Sequence, residues 1–259
     1  MIRKPAWATY PMHWDNSSLL LLSVHLMQGI LFDFFGTLVT YSTSRVEQGY
    51  QQTHQLLVES GIDVSYDAFL TEWVQSHEFW DQHTEATGRE YAMNDVAVRF
   101  IGRVAPDHHS SSLSAQLWKS YINEWSKGIQ YIEGVPELLE NLSKSYKIGV
   151  VSNTQSASLI HEQLEMGGMA PFVQVVVTSV EHGRPKPHPT IFEVAISKLG
   201  TNPRDTLFIG DSYQADYLGA KGAGLRALHI ALPGTNQAPQ SETISSVLEV
   251  ANLLEMPVA

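Results

Sequence analysis

Two hydrophobic rhythms divide the chain. Ile30-Leu31-Phe32 is an unbroken apolar run ending at Asp33, too short for a helix and too apolar for an edge strand, which predicts a buried central strand. Beyond Val39 the apolar residues fall at helical spacing. Val46, Tyr50, Leu56 and Leu57 come first, then Phe69, Leu70, Trp73 and Val74, then Val96, Val98 and Ile101, and finally Leu113, Leu117, Tyr121 and Trp125. Gly61, Gly88 and the polar run from Pro106 to Ser112 separate these groups, and Asn94 and Ser112 are the expected helix N-caps.

From Tyr131 short apolar runs alternate with helical patterns. A helix opens at Gly134-Val135-Pro136, with the proline in its first turn. Strands are expected over Lys147–Ser152, Val175–Thr178, Thr206–Gly210 and Leu225–Ile230. Helices are expected over Ala157–Met166, Pro189–Leu199 and Tyr213–Gly222. After a loop from Pro233 to Gln240, a last amphipathic helix is expected over Ile244–Leu254. The alternation predicts an α/β fold, a Rossmann-like parallel sheet core flanked by helices, with an inserted α-helical cap domain. The expected division is a core of residues 28–43 and 131–259, a cap of 44–130 and an N-terminal extension of 1–27.

Composition narrows the class. The chain of 259 residues is 43% hydrophobic and can bury a full core. Its formal net charge of −11 repels nucleic acid and anionic membranes, so neither is an expected partner. With no cysteine there is no disulfide framework, thiolate metal site or cysteine nucleophile, which fits a cytoplasmic protein. The apolar patch of Leu19–Leu22, Val24, Leu26 and Met27 follows Arg3 and Lys4, but it sits late for a signal peptide and is broken by Ser23 and His25. It is also too short to span a bilayer. A poorly ordered extension, with Met27 as the functional start, is the expected reading. Nothing in the sequence speaks to oligomeric state.

The candidate chemistry lies at strand ends. Asp33 follows the first strand, Ser152 and Asn153 end the second, and Asp211 follows the fourth with Asp216 beyond it. Lys186 lies in the loop Gly183–Pro189, after the third. In a parallel sheet these ends open on one crevice. Three carboxylates at one rim repel each other unless a cation joins them, and an oxygen-only donor set points to Mg²⁺. Ser152, at a helix N-terminus, suits a phosphoryl oxygen, and Lys186 adds positive charge. Taken singly, each residue has an ordinary reading: an aspartate after a strand caps helices, and a lysine sits on surfaces.

Together, Asp33…Gly36-Thr37, Ser152-Asn153-Thr154, Lys186-Pro187 and Gly210-Asp211-Ser212…Asp216 resemble the four motifs of the haloacid dehalogenase-like (HAD) hydrolase superfamily. The helical insert resembles that superfamily's C1-type cap, found in subfamily I, and the resemblance covers Gln28 to Leu254. It implies that Asp33 is a nucleophile forming an aspartyl ester or phosphate, and that Ser152 and Lys186 hold the transferring group. It implies that Thr37 and Asn153 contact substrate. Mg²⁺ would be bound by Asp33, Asp211 and the backbone carbonyl of Phe35, with Asp216 ligating it or orienting a bound water. The implied substrate is a small phosphorylated metabolite.

One position departs from the pattern. The superfamily's phosphatases usually carry a second Asp two residues after the nucleophile as general acid and base, where this chain has Phe35. Such a group is typically worth roughly 10²–10⁴-fold in rate. The first reading is therefore a Mg²⁺-dependent phosphatase or phosphotransferase with an altered proton path. A metal-independent 2-haloacid dehalogenase is the alternative, since those enzymes carry Tyr at this position. Against it, they lack the Asp that Asp211 supplies, and they use an Arg near the position of Val64, where the nearest here are Arg45 and Arg89. Phosphonate-cleaving members need a cap lysine, and no Lys lies between Asp33 and Lys119. A third reading is a catalytically impaired HAD fold that binds a ligand or a protein, disfavoured by the presence of Asp33, Lys186, Asp211 and Asp216 together. Arg89 is the expected cap residue entering the crevice, with His77 and His83 also in the insert. His108-His109 has no ligand spacing, and Trp73, Trp80, Trp118 and Trp125 are expected in the cap core. Hinges are expected near 41–45 and 128–133.

Overall fold

A computed structural model describes residues 27–108, 111–231 and 237–254. The expected extension except Met27, His109, and the first half of the 233–240 loop lie outside the described residues. The elements run β1 (Gly29–Phe32), β2 (Val39–Thr40), α1 (Gln51–Glu59), α2 (Tyr66–Thr87), α3 (Met93–Val104), α4 (Ser111–Trp125) and β3 (Gln130–Tyr131). Then come α5 (Val135–Ser143), β4 (Lys147–Ser152), α6 (Ala157–Met166), β5 (Val175–Thr178), α7 (Ser179–His182), α8 (Pro189–Leu199) and β6 (Thr206–Gly210). A π-helical segment over Tyr213–Leu218 runs into α9 (Gly219–Gly222), followed by β7 (Arg226–Ile230), β8 (Thr243–Ile244) and α10 (Val250–Leu253).

Every residue of β1 is buried, because the strand lies inside a six-stranded sheet of order β5-β4-β1-β6-β7-β8, parallel throughout. Alternation along β1 sends Ile30 and Phe32 into one core layer, with Leu138, Leu142 and Ile160, and Leu31 into the opposite layer, with Phe192, Ile196 and Phe208. Phe32 pairs with Val150 of β4 and Ile209 of β6. Asp33, the next residue, is thereby set between the strand ends that carry Ser152 and Asp211. Helices on both faces and this strand order make an α/β Rossmann-like fold.

The segment between β2 and β3 builds its own core around Trp73, Phe69, Phe100, Leu117 and Tyr121. It leaves and rejoins the rest through an antiparallel ribbon in which Val39 pairs with Tyr131 and Thr40 with Gln130. Its first and last helices are tied by Glu124. Tyr50 offers α1 no side-chain cap, and Glu124 of α4 accepts hydrogen bonds from the Gln52 and Thr53 N–H groups at 3.1 and 2.9 Å instead. A buried carboxylate satisfies two of the helix's orphan donors.

Several expected boundaries move. The α3 cap is Ala92, whose N–H donates to Asp95 at 2.9 Å, while Asn94 lies inside the helix and accepts from the Ser114 hydroxyl. Ser112 is likewise inside α4, which starts at Ser111. Ile244 pairs with Ile230 as a sixth strand, so the final helix shrinks to α10. Strand pairing has overridden the helical periodicity there. The Tyr213 helix opens in π form, with the Tyr217 N–H reaching back to the Ser212 carbonyl. No helix among the described residues is long and apolar enough to cross a membrane.

Candidate active site

Asp33 is fixed at the end of β1 by its own N–H, which donates to the Ile209 carbonyl at 2.9 Å. Lys186 reaches it from the loop between α7 and α8. The Lys186 Nζ lies 2.7 Å from Asp33 Oδ1 and 2.6 Å from Asp216 Oδ1, with all three residues buried. Asn153 holds the lysine from behind. Its Oδ1 accepts from the Lys186 N–H at 2.8 Å and its Nδ2 donates to the Lys186 carbonyl at 3.0 Å. Asp216 is held by the Ser212 N–H, 2.9 Å from Oδ2. A Cβ on Gly210 would stand 2.4 Å from that same oxygen.

Asp211 completes the rim. Its carbonyl lies 3.0 Å from His229 Nε2, and its carboxylate fits against Gly36, where an added Cβ would meet Oδ2 at 2.2 Å. Gly36 also sits at φ +81°, a conformation other residues resist, so two independent constraints demand glycine there. One oxygen from each of Asp33, Asp211 and Asp216 lies within 4.8 Å of the others.

These charges are in tension. Burial pushes the Asp33 carboxyl up to about 7, against the Lys186 charge and with the help of Asp216. Burial pulls the Lys186 ammonium down, but Asp216 and Asp33 outweigh it and hold its pKa above the ordinary value. Burial and then Asp216 raise Asp211 as well. Three carboxylates facing one ammonium leave surplus negative charge on an all-oxygen donor set, which fits a hard divalent cation.

Above the rim opens a cavity of about 460 Å³. The insert and its connecting segments form the opposite wall, with Tyr41, Arg45, His77, Tyr121 and Trp125. Phe35 stands between, its ring 5.1 Å from Tyr41 and 5.5 Å from Trp125 between centroids. Arg45 donates to Asp81 at 2.7 Å, and the Tyr91 hydroxyl donates to the other Asp81 oxygen at 2.7 Å. His77 is buried beside them, and burial, aided by Arg45, pushes its pKa down to about 3. It is therefore neutral near pH 7.

Among the residues expected at the site, the structure brings Asp33, Phe35, Asn153, Lys186, Asp211 and Asp216 to one cavity. Both polar ends of the Asn153 amide are taken by the Lys186 backbone, so its contact is with the lysine loop. Thr37 and Ser152 do not line the cavity: they are 1% and 0% exposed, and neither hydroxyl has a partner among the described residues. A buried unpartnered hydroxyl costs about 1–3 kcal/mol, so each leaves a donor open to an acceptor. Arg89 does not come to the cavity. It is exposed, and its N–H and carbonyl close a local turn with Thr87 and Thr84. Its neighbour Glu90 docks on the core instead, its N–H donating to the Gly183 carbonyl at 3.0 Å. Arg45 is the insert-side arginine that lines the cavity, and Trp125, expected in the insert core, lines it too. Both lie at the ends of the segment joining the two parts, and that position in the chain was the available signal.

A family model described as haloacid dehalogenase-like hydrolase matches residues 30–230. Among characterised proteins, the chain is 32% identical over 161 residues to the bovine haloacid dehalogenase-like hydrolase domain-containing protein 3, spanning 61% of this chain and 57% of that protein. It is 24% identical over 211 residues to a glyceraldehyde 3-phosphate phosphatase of Methanopyrus kandleri, spanning 79% of this chain and 84% of the enzyme. Among solved structures, a HAD phosphatase from Thermococcus onnurineus superposes with a TM-score of 0.60 at 25% identity, over 88% of this chain and 98% of that one. The HAD-hydrolase YfnB of Bacillus subtilis, solved bound to magnesium, gives 0.60 at 20% identity over 89% and 99%.

Proposed function

Because the chain belongs to the haloacid dehalogenase-like hydrolases, we propose that it is a Mg²⁺-dependent phosphatase acting on a small phosphorylated metabolite, with Asp33 as nucleophile. The observation that carries this is the buried Asp33–Lys186–Asp216 bridge beside Asp211, a carboxylate for which Gly36 leaves room. Relatives named as phosphatases support the same reading. The cytoplasm is the proposed location, and residues 44–130 are the proposed cap, moving on the segments near 41–45 and 128–133.

In the first step an Asp33 oxygen attacks phosphorus, the ester P–O bond breaks, and the leaving oxygen takes the electron pair and a proton. Water then attacks the aspartyl phosphate, releasing phosphate and restoring the carboxylate. Lys186 orients Asp33 and offsets phosphoryl charge, while the Thr37 and Ser152 hydroxyls, which have no protein partner among the described residues, receive phosphoryl oxygens. When bound, Mg²⁺ held by Asp33, Asp211, Asp216 and the Phe35 carbonyl supplies further neutralisation of that charge.

Presence of Asp211 disfavours the metal-independent dehalogenase reading, and retention of nucleophile and lysine in one bridge disfavours a pure binding module. The test is p-nitrophenyl phosphate with and without Mg²⁺. Turnover should require the metal and vanish in Asp33→Asn. No turnover with Mg²⁺, together with chloride release from 2-chloropropionate in its absence, would overturn the reading.

A further inference from the structure

The proposed first step leaves a chemical need that the rim does not meet. An alkoxide leaving group is about as basic as hydroxide, whose conjugate acid has a pKa of about 15.7, so an alkyl phosphate departs well only if a proton reaches the leaving oxygen. Phe35 has none to give. Resting on the phosphatase reading, we propose that Tyr41 donates that proton.

The other protic groups on the cavity wall are bonded to protein, buried out of reach or too weakly acidic. Lys186 is shared between Asp33 and Asp216. Arg45 is held charged by Asp81, and the Tyr121 hydroxyl donates to the Arg45 carbonyl at 3.2 Å. His77 has Nδ1 3.4 Å from the Tyr91 hydroxyl, and its Nε2, though without a partner among the described residues, is buried away from the cavity's open space. Thr43, Thr154, Ser156 and Ser212 carry aliphatic hydroxyls, which are no more acidic than the leaving group itself. Tyr41 lines the same cavity as Asp33 and Lys186, and its hydroxyl makes no hydrogen bond to protein among the described residues. Burial, and then the Asp211, Asp33 and Asp216 charges, hold the Tyr41 phenol above its ordinary pKa, so it keeps its proton at neutral pH and releases it only to a strong base such as a departing alkoxide.

Position is supplied by the residue that replaced the expected carboxylate. The rings of Phe35, Tyr41 and Trp125 form a closed triangle, with centroid separations of 5.1, 5.5 and 6.0 Å. Phe35 is itself backed by Phe34 at 5.0 Å. Phe35 therefore acts as a rest for Tyr41, and the proton function has moved to a neighbouring ring. In the balanced step, the P–O bond breaks, its electron pair goes to the alcohol oxygen, and that oxygen takes the Tyr41 proton. The phenolate then takes a proton from the water that attacks the aspartyl phosphate, which restores Tyr41 for the next cycle.

The experiment compares wild type and Tyr41→Phe on glycerol 2-phosphate and on p-nitrophenyl phosphate, both with Mg²⁺. Phe keeps the ring triangle and removes one hydroxyl, and the p-nitrophenolate leaving group needs no proton. The variant should lose roughly 10²-fold in kcat/KM on the alkyl ester, and at least about tenfold less on the aryl ester. The ratio is independent of the fraction folded, since both substrates meet the same protein. Equal losses on the two esters would mean a packing role and overturn the proposal, as would no loss on either. Wild type that cleaves only the aryl ester removes Tyr41 as donor and leaves the phosphatase reading standing. Wild type that cleaves neither overturns both.

Discussion

The two walls of the cavity are built in different ways. On the core side each charged residue is tied through a backbone group: Lys186 by its own N–H and carbonyl in the Asn153 clamp, Asp216 by the Ser212 N–H, Asp211 by the clearance at Gly36. On the insert side the groups are held by one another, through ring contacts among Phe35, Tyr41 and Trp125 and the chain of Arg45, Asp81 and Tyr91. Backbone-held groups keep one geometry, which suits a reaction step that tolerates little displacement. Side-chain networks repack with modest cost, which suits a wall that must accept a leaving group.

The sharpest way to break this contrast is Gly36→Ala. The added methyl meets Asp211 Oδ2 at 2.2 Å and is strained at φ +81°, so either the turn or the carboxylate must move. A displacement of about 1 Å at a reacting centre costs roughly 10²-fold, and turnover of p-nitrophenyl phosphate should fall by that order. The rise in melting temperature on adding Mg²⁺ should shrink with it. Normal turnover and a normal metal response would show that the rim is not rigid.

Asn153→Ala is the next test in size. It deletes both hydrogen bonds to the Lys186 backbone while touching neither Asp33 nor the metal ligands. Losing a partner that orients a site residue typically costs about 10–100-fold. The loss should appear in kcat more than in KM, because the lysine is misplaced during the chemical step. A pure KM effect would mean that Asn153 meets substrate and the clamp is incidental.

The same contrast decides what the amino-acid pattern could disclose. The strands at Lys147–Ser152, Val175–Thr178 and Thr206–Gly210 and the polar residues at their ends were readable, because each is a short contiguous apolar run, the pattern of a strand covered on both faces. Gly36 was readable as a turn, but its second role, the close approach to Asp211, depends on a residue from another strand. Arg45 was hidden for that reason: its partner Asp81 is 36 positions away and the helices between them decide where both point. Arg89 was the more conspicuous candidate, yet a local turn with Thr84 and Thr87 keeps it outside. β8 has only two residues, too few for any period to show, and exists because β7 offers it an edge.

The smallest predicted effect belongs to the insert wall and concerns acid. His77 is packed against Trp73 and Tyr121, and faces Tyr91, Arg45 and Asp81. Burial, and then the Arg45 charge, disfavour its proton more than Asp81 favours it. In the unfolded chain the imidazole gains its proton near 6.5, but in the folded protein only near 3. Between those values the unfolded state holds the extra proton, so stability is lost as pH falls through the window and is fully present above it. The slope approaches about 1.4 kcal/mol per pH unit, and about 1 kcal/mol moves the melting temperature of a chain this size by roughly 2–4 °C. His77→Gln, which cannot take up a proton, should therefore lose less stability than wild type between pH 6 and pH 4, whatever its starting value at pH 7. Parallel melting curves for the two proteins across that range would mean that His77 is protonated in place, and that the insert wall is wetter and more yielding than its ring contacts imply.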